Sequence, residues 1–328
     1  YLIYKLIFFD NFDVGMAPLV VGLFFFSAVQ LIFIGVIGEY VGAINTQILK
    51  RPLVIEKERV NFENWFNIIT LKKIDKKIMD MLLINPAAEK FGGPLLSGYV
   101  PIEIPVSLGT LSAYLRKYDI VTKIIDEEMT QITPSVLREA IEGMKKPYIF
   151  GITCLTAHVR RAYEIAQMVK ECYPDSIVIT GGLHPTTLPE ESLNTGFVDY
   201  VVRGEGEEIM LQLYRAIRGE GNPTDILGVS YIKEGTVMTN APASLIPDIN
   251  VIPNFPYHEF DHNKYDFGMI VSSRGCPYRC SYCSQRLLTG TTYRYLSPER
   301  ILEQLDILVN TYHQKQVVFF DDNFLLSQ

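Results

Sequence analysis

Two hydrophobic patterns divide the chain. The first is one unbroken run: Val14 to Gly38 contains no Asp, Glu, Lys, Arg or His. Its centre, Leu19 to Ile34, is apolar on every face rather than along one stripe. About 20 apolar residues suffice to cross a bilayer core, so the run predicts a transmembrane helix over about 14–44, within a membrane segment 1–62. Cations then set an orientation. Eight Lys or Arg residues lie between Lys50 and Lys77, whereas Tyr1 to Asp13 holds only Lys5. The positive-inside tendency places everything after residue 45 on the cytoplasmic face, with membrane lipid as a partner.

The second pattern begins after a basic linker at 63–78. Short apolar runs occur at Met81–Ile84, Ile120–Ile125, Tyr148–Thr153, Ile177–Thr180 and Val198–Val202. Helical spacing separates them, at Val106, Leu108, Leu111 and Leu115, then near Ser135–Met144, Val159–Cys172, Glu190–Leu193 and Glu207–Ile217. Strands alternating with helices predict an α/β, doubly wound parallel sheet of Rossmann-like type over 79–240. Val229–Thr239, broken at Glu234-Gly235, reads as a hairpin. Residues 241–265 carry Pro242, Pro247, Pro253 and Pro256 and read as a linker. From 266 the alternation resumes: a strand near Met269–Ser273, a helix near Pro298–Val309 and a strand from Val317.

Open parallel sheets bind ligands beyond the carboxyl ends of their strands. The residues there are small or polar: Thr153, Gly181-Gly182, and Gly204-Glu205-Gly206-Glu207. Paired glycines let a backbone approach a large flat ligand closely, and they also serve as plain turns. A sharper signal is Cys276-Pro-Tyr-Arg-Cys280-Ser-Tyr-Cys283. Four readings compete. A disulfide is disfavoured where thiols stay reduced. Structural zinc wants four ligands, and the only histidine soon after is His313. A redox Cys-x-x-Cys needs two cysteines, not three. The remaining reading is an iron–sulfur cubane with three thiolate ligands and one open iron. Cys154 and Cys172 read as packing residues.

Composition sharpens this in two ways. The 328 residues include 30 Lys+Arg against 37 Asp+Glu, a net charge of −7, which argues against nucleic acid as a partner. The mean hydropathy of +0.13 is high and is concentrated in the first run. The chain begins at Tyr1, and residues 266–328 are far fewer than the about 250 of a complete eight-unit barrel. The expectation is therefore a fragment, inactive alone.

Cys-x3-Cys-x2-Cys after a strand and before a helix resembles the radical S-adenosylmethionine (SAM) enzymes. That resemblance implies a [4Fe-4S] cluster on Cys276, Cys280 and Cys283, with SAM chelated at the fourth iron and cleaved to a 5′-deoxyadenosyl radical. It also implies a one-electron reductant such as a flavodoxin or ferredoxin. Tyr282 matches the aromatic that family members place against the adenine. Asp321 and Asp322 lie where members contact the SAM amino group, although one of them could cap a turn. Gly181-Gly-Leu-His-Pro-Thr186 and Asp199 to Glu207 resemble the cobalamin-binding domain that precedes many radical SAM barrels. Thr153, Gly181, Gly182, His184, Gly204 and Glu205 are its implied contacts. Without an Asp-x-His-x-x-Gly motif, cobalamin is expected without a histidine lower ligand.

A second resemblance covers residues 1–62. Val29-Gln-Leu, Gly35-Val-Ile-Gly-Glu-Tyr-Val-Gly42 and Lys50-Arg-Pro are similar to the C-terminal membrane region of polyprenyl-phosphate family-2 glycosyltransferases. The expected function is a membrane-tethered, cobalamin-dependent radical SAM enzyme, performing methyl transfer or another radical reaction. The alternatives are a non-catalytic cofactor module, a transferase end with an appended domain, and a join between two neighbouring genes.

Overall fold

The structure, a computed structural model, describes residues 23–35, 37, 78–87, 102–324 and 326. The chain divides into two units, residues 1–65 and 66–328. In the first, the described residues form a helix at 23–35. At about 1.5 Å per residue that stretch rises about 20 Å, against a bilayer core of roughly 30 Å. Among the described residues no helix is long and apolar enough to cross a membrane. The expected transmembrane helix over about 14–44 and the membrane localisation drawn from it are thereby corrected. Positions 14–22, 36 and 38–44 of that expectation, and 63–77 of the basic linker, lie outside the described residues. The cytoplasmic placement and the lipid partner rested on that helix alone.

In the second unit, a seven-stranded sheet has the order β2-β1-β3-β4-β5-β6-β7. Its strands are β1 (Met81–Asn85), β2 (Thr122–Asp126), β3 (Ile149–Thr153), β4 (Ile177–Gly181), β5 (Tyr200–Val202), β6 (Val229–Lys233) and β7 (Thr236–Thr239). The first five pair in parallel. β6 runs antiparallel to β5, and β7 returns antiparallel through Glu234 and Gly235 at φ 50° and 77°. Both are left-handed conformations, as a two-residue hairpin turn requires.

Strand alternation explains why β1 is apolar from Met81 to Ile84. Met81 and Leu83 face one core, with α1 (Val106–Arg116) and, after β5, the helix Gly206–Ile217. Leu82 and Ile84 face the other, with α2 (Pro134–Ala140) and α3 (Val159–Cys172). A strand covered on both faces loses its polar positions. The expected helix near Ser135–Met144 ends early, at Ala140. Its start is well specified: Thr133 accepts the Val136 N–H and Pro134 takes the first turn. Two short helices, α4 (Leu183–Thr187) and α5 (Pro189–Asn194), follow β4, and the helix after β5 is α6 (Gly206–Ile217).

The remaining strands are two-residue pieces. β8 (Met269–Ile270) pairs in parallel with β11 (Val318–Phe319), and β9 (Ser273–Arg274) pairs antiparallel with β10 (Arg294–Tyr295). Between β9 and β11 lie α7 (Gln285–Thr289) and α8 (Pro298–Asp306). The Pro-rich segment is packed rather than loose. Ile246, Ile249 and Ile252 join the first core, while Phe255 and Tyr257 join a third built on Phe267 and Met269. Tyr257 also donates its hydroxyl to the Met269 carbonyl at 2.8 Å. One strap of chain therefore ties the sheet to β8.

Phe150, fully buried in the second core, should be among the costliest truncations. Phe150→Ala is expected to lower unfolding free energy by about 3–5 kcal/mol, against less than about 0.5 for the exposed Ile232→Ala on β6, both read by urea denaturation.

Candidate cofactor site

The strand order reverses between β1 and β3. The chain leaves β1 toward α1 on one face and leaves β3 toward α3 on the other. That divergence opens a crevice at the carboxyl ends of the strands. A cavity of about 500 Å³ occupies it. Its sheet-side wall is Gly151 and Thr153 of β3, Gly181-Gly182 after β4, and Gly204 to Glu207 before α6. Its opposite wall comes from β8, β9 and α7, including Ser273, Arg274 and Thr289, with Phe320 and Asp322 beyond β11. The size is that of a small-molecule or cofactor site. Gly182 is required by conformation: its φ is +101°, and a Cβ there would stand 2.9 Å from the Cys154 carbonyl oxygen.

Four charged side chains stitch the two walls together. Arg274 and Arg294 are cross-strand partners on β9 and β10, an arrangement that like charges oppose. Glu205 and Glu207, at the start of α6, supply the compensation. Arg294 Nη1 donates to Glu205 Oε2 at 2.8 Å, and Arg274 reaches Glu205 Oε1 at 3.3 Å and Glu207 Oε1 at 2.5 Å. The remaining capacity is used as well. The Ile246 N–H donates to Glu205, while Arg294 donates to the carbonyls of Ile246 and Thr289. Buried charges persist when paired and hydrogen-bonded in this way. Burial pushes the Glu207 carboxyl up, but the facing Arg274 and Arg294 outweigh it and hold it below its ordinary 4.5.

The cysteine loop leaves β9 through Gly275, at φ +84°. A Cβ at that position would lie 2.2 Å from the Thr292 carbonyl oxygen, so only glycine lets the chain pass. Cys276, Cys280 and Cys283 are all free thiols, Cys280 exposed and the other two half-buried. Asn323 Nδ2 approaches Cys276 Sγ at 3.8 Å. Among the described residues no group of three or more His, Cys, Asp or Glu is gathered to hold a single metal ion. In a cubane each thiolate takes a different iron, so three thiols spread along one partly open loop fit a cluster better than one zinc.

The expected cofactor residues fall into two groups. Thr153, Gly181, Gly182, Gly204, Glu205 and Asp322 line the cavity. His184, Tyr282 and Asp321 do not. The His184 ring is buried beside the chain and committed: Nε2 meets Glu191 at 3.2 Å and Nδ1 meets Thr156 Oγ1 at 3.2 Å. Among the described residues no histidine lines the cavity. Tyr282 is 89% exposed. Asp321 turns inward, accepting the N–H groups of Ser272 and Ser273 at 2.6 and 2.9 Å and the Ser272 hydroxyl. Asp322 faces the cavity and accepts from Thr289 Oγ1 at 3.0 Å. Cys154 is fully buried, which pushes its thiol up to about 12, so it packs as expected; Cys172 is exposed. The sequence placed Glu207 at the strand ends but did not reveal its pairing with Arg274, nor the part of Arg274 and Arg294 in the site. The available signal was charge at positions where burial is uncommon.

Residues 98–214 match the B12 binding domain, and residues 270–327 match the radical SAM superfamily. The chain is 34% identical over 259 residues to an uncharacterised methyltransferase of Pyrococcus horikoshii, an alignment spanning 77% of this chain and 55% of that protein. It is 29% identical over 254 residues to an anaerobic magnesium-protoporphyrin IX monomethyl ester cyclase of Rubrivivax gelatinosus, spanning 74% and 44%. Cobalamin-dependent radical SAM methyltransferases are among its further homologues. In fold it resembles OxsB, a cobalamin-dependent SAM radical enzyme with aqua-cobalamin bound, at TM-score 0.62 and 22% identity over 76% of this chain and 34% of that one. The chain thus combines a B12-binding domain with a radical SAM domain. It spans about half the length of the curated relatives it matches. The family matches begin at residue 98, and the expected glycosyltransferase resemblance of residues 1–62 is not supported. A short apolar, glycine-containing string draws on few residue types and identifies little.

Glu207 sets a pH test. Its folded pKa lies below the unfolded value, so it contributes stability above about pH 4.5, lost as pH falls through the lower folded value. In Arg274→Met burial is left less opposed and the carboxyl shifts upward. The variant's deficit, about 3–5 kcal/mol at pH 7, should shrink below about pH 4.5 in urea titrations. A deficit independent of pH would contradict the pairing.

Proposed function

We propose that this chain is the cofactor-binding part of a radical SAM enzyme that uses cobalamin, with methyl transfer as the leading reaction class. One observation carries the reading: a single cavity has the glycine-rich carboxyl ends of β3, β4 and β5 as one wall and the strand leading into the three-cysteine loop as the other. In this reading 79–240 is the cobalamin-binding domain, 241–265 a strap, and 266–328 the opening portion of the SAM barrel.

When bound, the [4Fe-4S] cluster delivers one electron to SAM and cobalamin carries a methyl group. The protein's own residues hold, orient and dry the site. Cys276, Cys280 and Cys283 ligate three irons, and the Asn323 amide beside Cys276 stabilises thiolate charge. Asp322 presents its carboxylate at the cavity, where it suits the SAM ammonium, while Asp321 fixes the backbone of β9 instead. Tyr282 stands exposed on the loop, available to stack on the adenine. Gly181, Gly182 and Gly204 keep the sheet-side wall flat, with Thr153 and Glu205 at its edge. Among the described residues that line the cavity there is no histidine, and cobalamin bound without a histidine ligand stays an expectation of this reading. His184 serves the turn after β4 through Thr156 and Glu191. The electron comes from a small carrier such as a flavodoxin or ferredoxin.

Anaerobic reconstitution with iron and sulfide tests the reading. The expected product has a broad absorbance near about 400 nm that changes when SAM is added, as a cysteine-bound cluster with an open iron requires. Cys280→Ala should lose that response. Tight zinc binding with no cluster formed would overturn the assignment.

A further inference from the structure

Ser272 and Ser273 are adjacent, both buried, and chemically opposite in their surroundings. The Ser272 hydroxyl donates to Asp321, and both backbone N–H groups are tied to the same carboxylate. The backbone of β9 is therefore fixed, and alternation turns Ser273 to the other side, where it lines the cavity. Ser273 is 3% exposed, and among the described residues its Oγ has no hydrogen-bond partner. A buried hydroxyl left unpaired costs about 1–3 kcal/mol, so it calls for a partner that enters the cavity.

The charges around Ser273 narrow that partner's chemistry. Arg274 shares its wall and Glu205 and Glu207 face it from the sheet side, and these three satisfy one another. With the neighbouring arginines already paired, the hydroxyl by itself would not offset the desolvation of a phosphate or carboxylate, which favours a neutral amide as its partner. The three cysteines do not line this cavity, whereas Gly181, Gly182 and Gly204 do. Asp322, the group assigned to SAM, lies beyond β11 and is held by Thr289, whereas Ser273 on β9 faces the glycine ends of the sheet across the cavity. Resting on the cobalamin reading above, we infer that Ser273 Oγ is a positioning contact for cobalamin, hydrogen-bonding one of the carboxamides on the rim of the corrin.

The test uses the full chain without cofactors, titrated separately with aquacobalamin and with SAM, together with the thermal midpoint of each cofactor-free variant. Ser273→Ala removes a hydroxyl that has no partner in the protein, so its midpoint should equal or exceed that of the parent. Ser272→Ala removes a bond already made, and its midpoint should fall. Ser273→Ala should weaken aquacobalamin binding about 3- to 10-fold, the value of one neutral hydrogen bond, and leave SAM binding unchanged. Equal aquacobalamin affinity in parent and Ser273→Ala overturns the inference alone. A weakening confined to SAM overturns it too, as does a Ser273→Ala midpoint that falls like that of Ser272→Ala. A parent chain that takes up no aquacobalamin overturns the cobalamin reading itself.

Discussion

Glu205 and Arg294 are both almost wholly withdrawn from water, and opposite charges in that position tolerate few relative placements of the elements that carry them. Glu205 stands just before the first turn of the helix leading out of the sheet, and Arg294 sits on the strand that pairs with the entry to the cysteine loop. Separating those elements would strand two charges in a low-dielectric interior, at a cost of several kcal/mol each. The pair adds little net stability over an apolar substitute, but it fixes register. Because Arg274 lies opposite Arg294, the same carboxylates also orient the residue two positions before Cys276. The geometry of the cavity and of the cysteine loop is thus set by one polar cluster.

That cluster also explains how the cavity stays selective. Its charged side chains are consumed in mutual pairing, which leaves a wall of glycine backbone, apolar side chains and a few neutral hydroxyls. Such a wall suits a large ligand whose periphery is apolar and amide-bearing. Among the described residues, the one carboxylate left facing the cavity from the far side is Asp322, held by Thr289. Division of labour between neighbours recurs here: Asp321 fixes backbone while Asp322 faces the cavity, and Ser272 is satisfied while Ser273 has no partner among the described residues.

Much of the sheet was legible because its strands are buried on both faces, so Met81–Ile84 and Ile177–Thr180 stand out as continuous apolar runs. The hairpin at Glu234-Gly235 was legible from its turn. The strand expected at Met269–Ser273 divides into two because the Asp321 carboxylate captures the amides of Ser272 and Ser273, a contact 48 residues away or more in sequence. Prolines suggested a loose linker at 241–265, yet its Ile, Phe and Tyr residues fill two cores; the apolar spacing was the better guide. His184 followed a glycine pair and read as a cofactor contact, but α4 starts at Leu183 and turns the ring toward Glu191. The transmembrane expectation rested on hydropathy alone. The pairing of Glu207 with Arg274, and the roles of Arg274 and Arg294, were not legible, since pairing across about 70 residues leaves no local pattern.

The central claim is that a corrin lies in the cavity between the sheet ends and the cysteine loop. The most direct measurement is anomalous scattering at the cobalt edge from anaerobic crystals of the chain grown with aquacobalamin. The account predicts one cobalt peak inside that cavity, facing Gly181-Gly182 on one side and the β9 strand on the other. A cobalt peak at any other place on the protein, with the cavity unchanged, would contradict it.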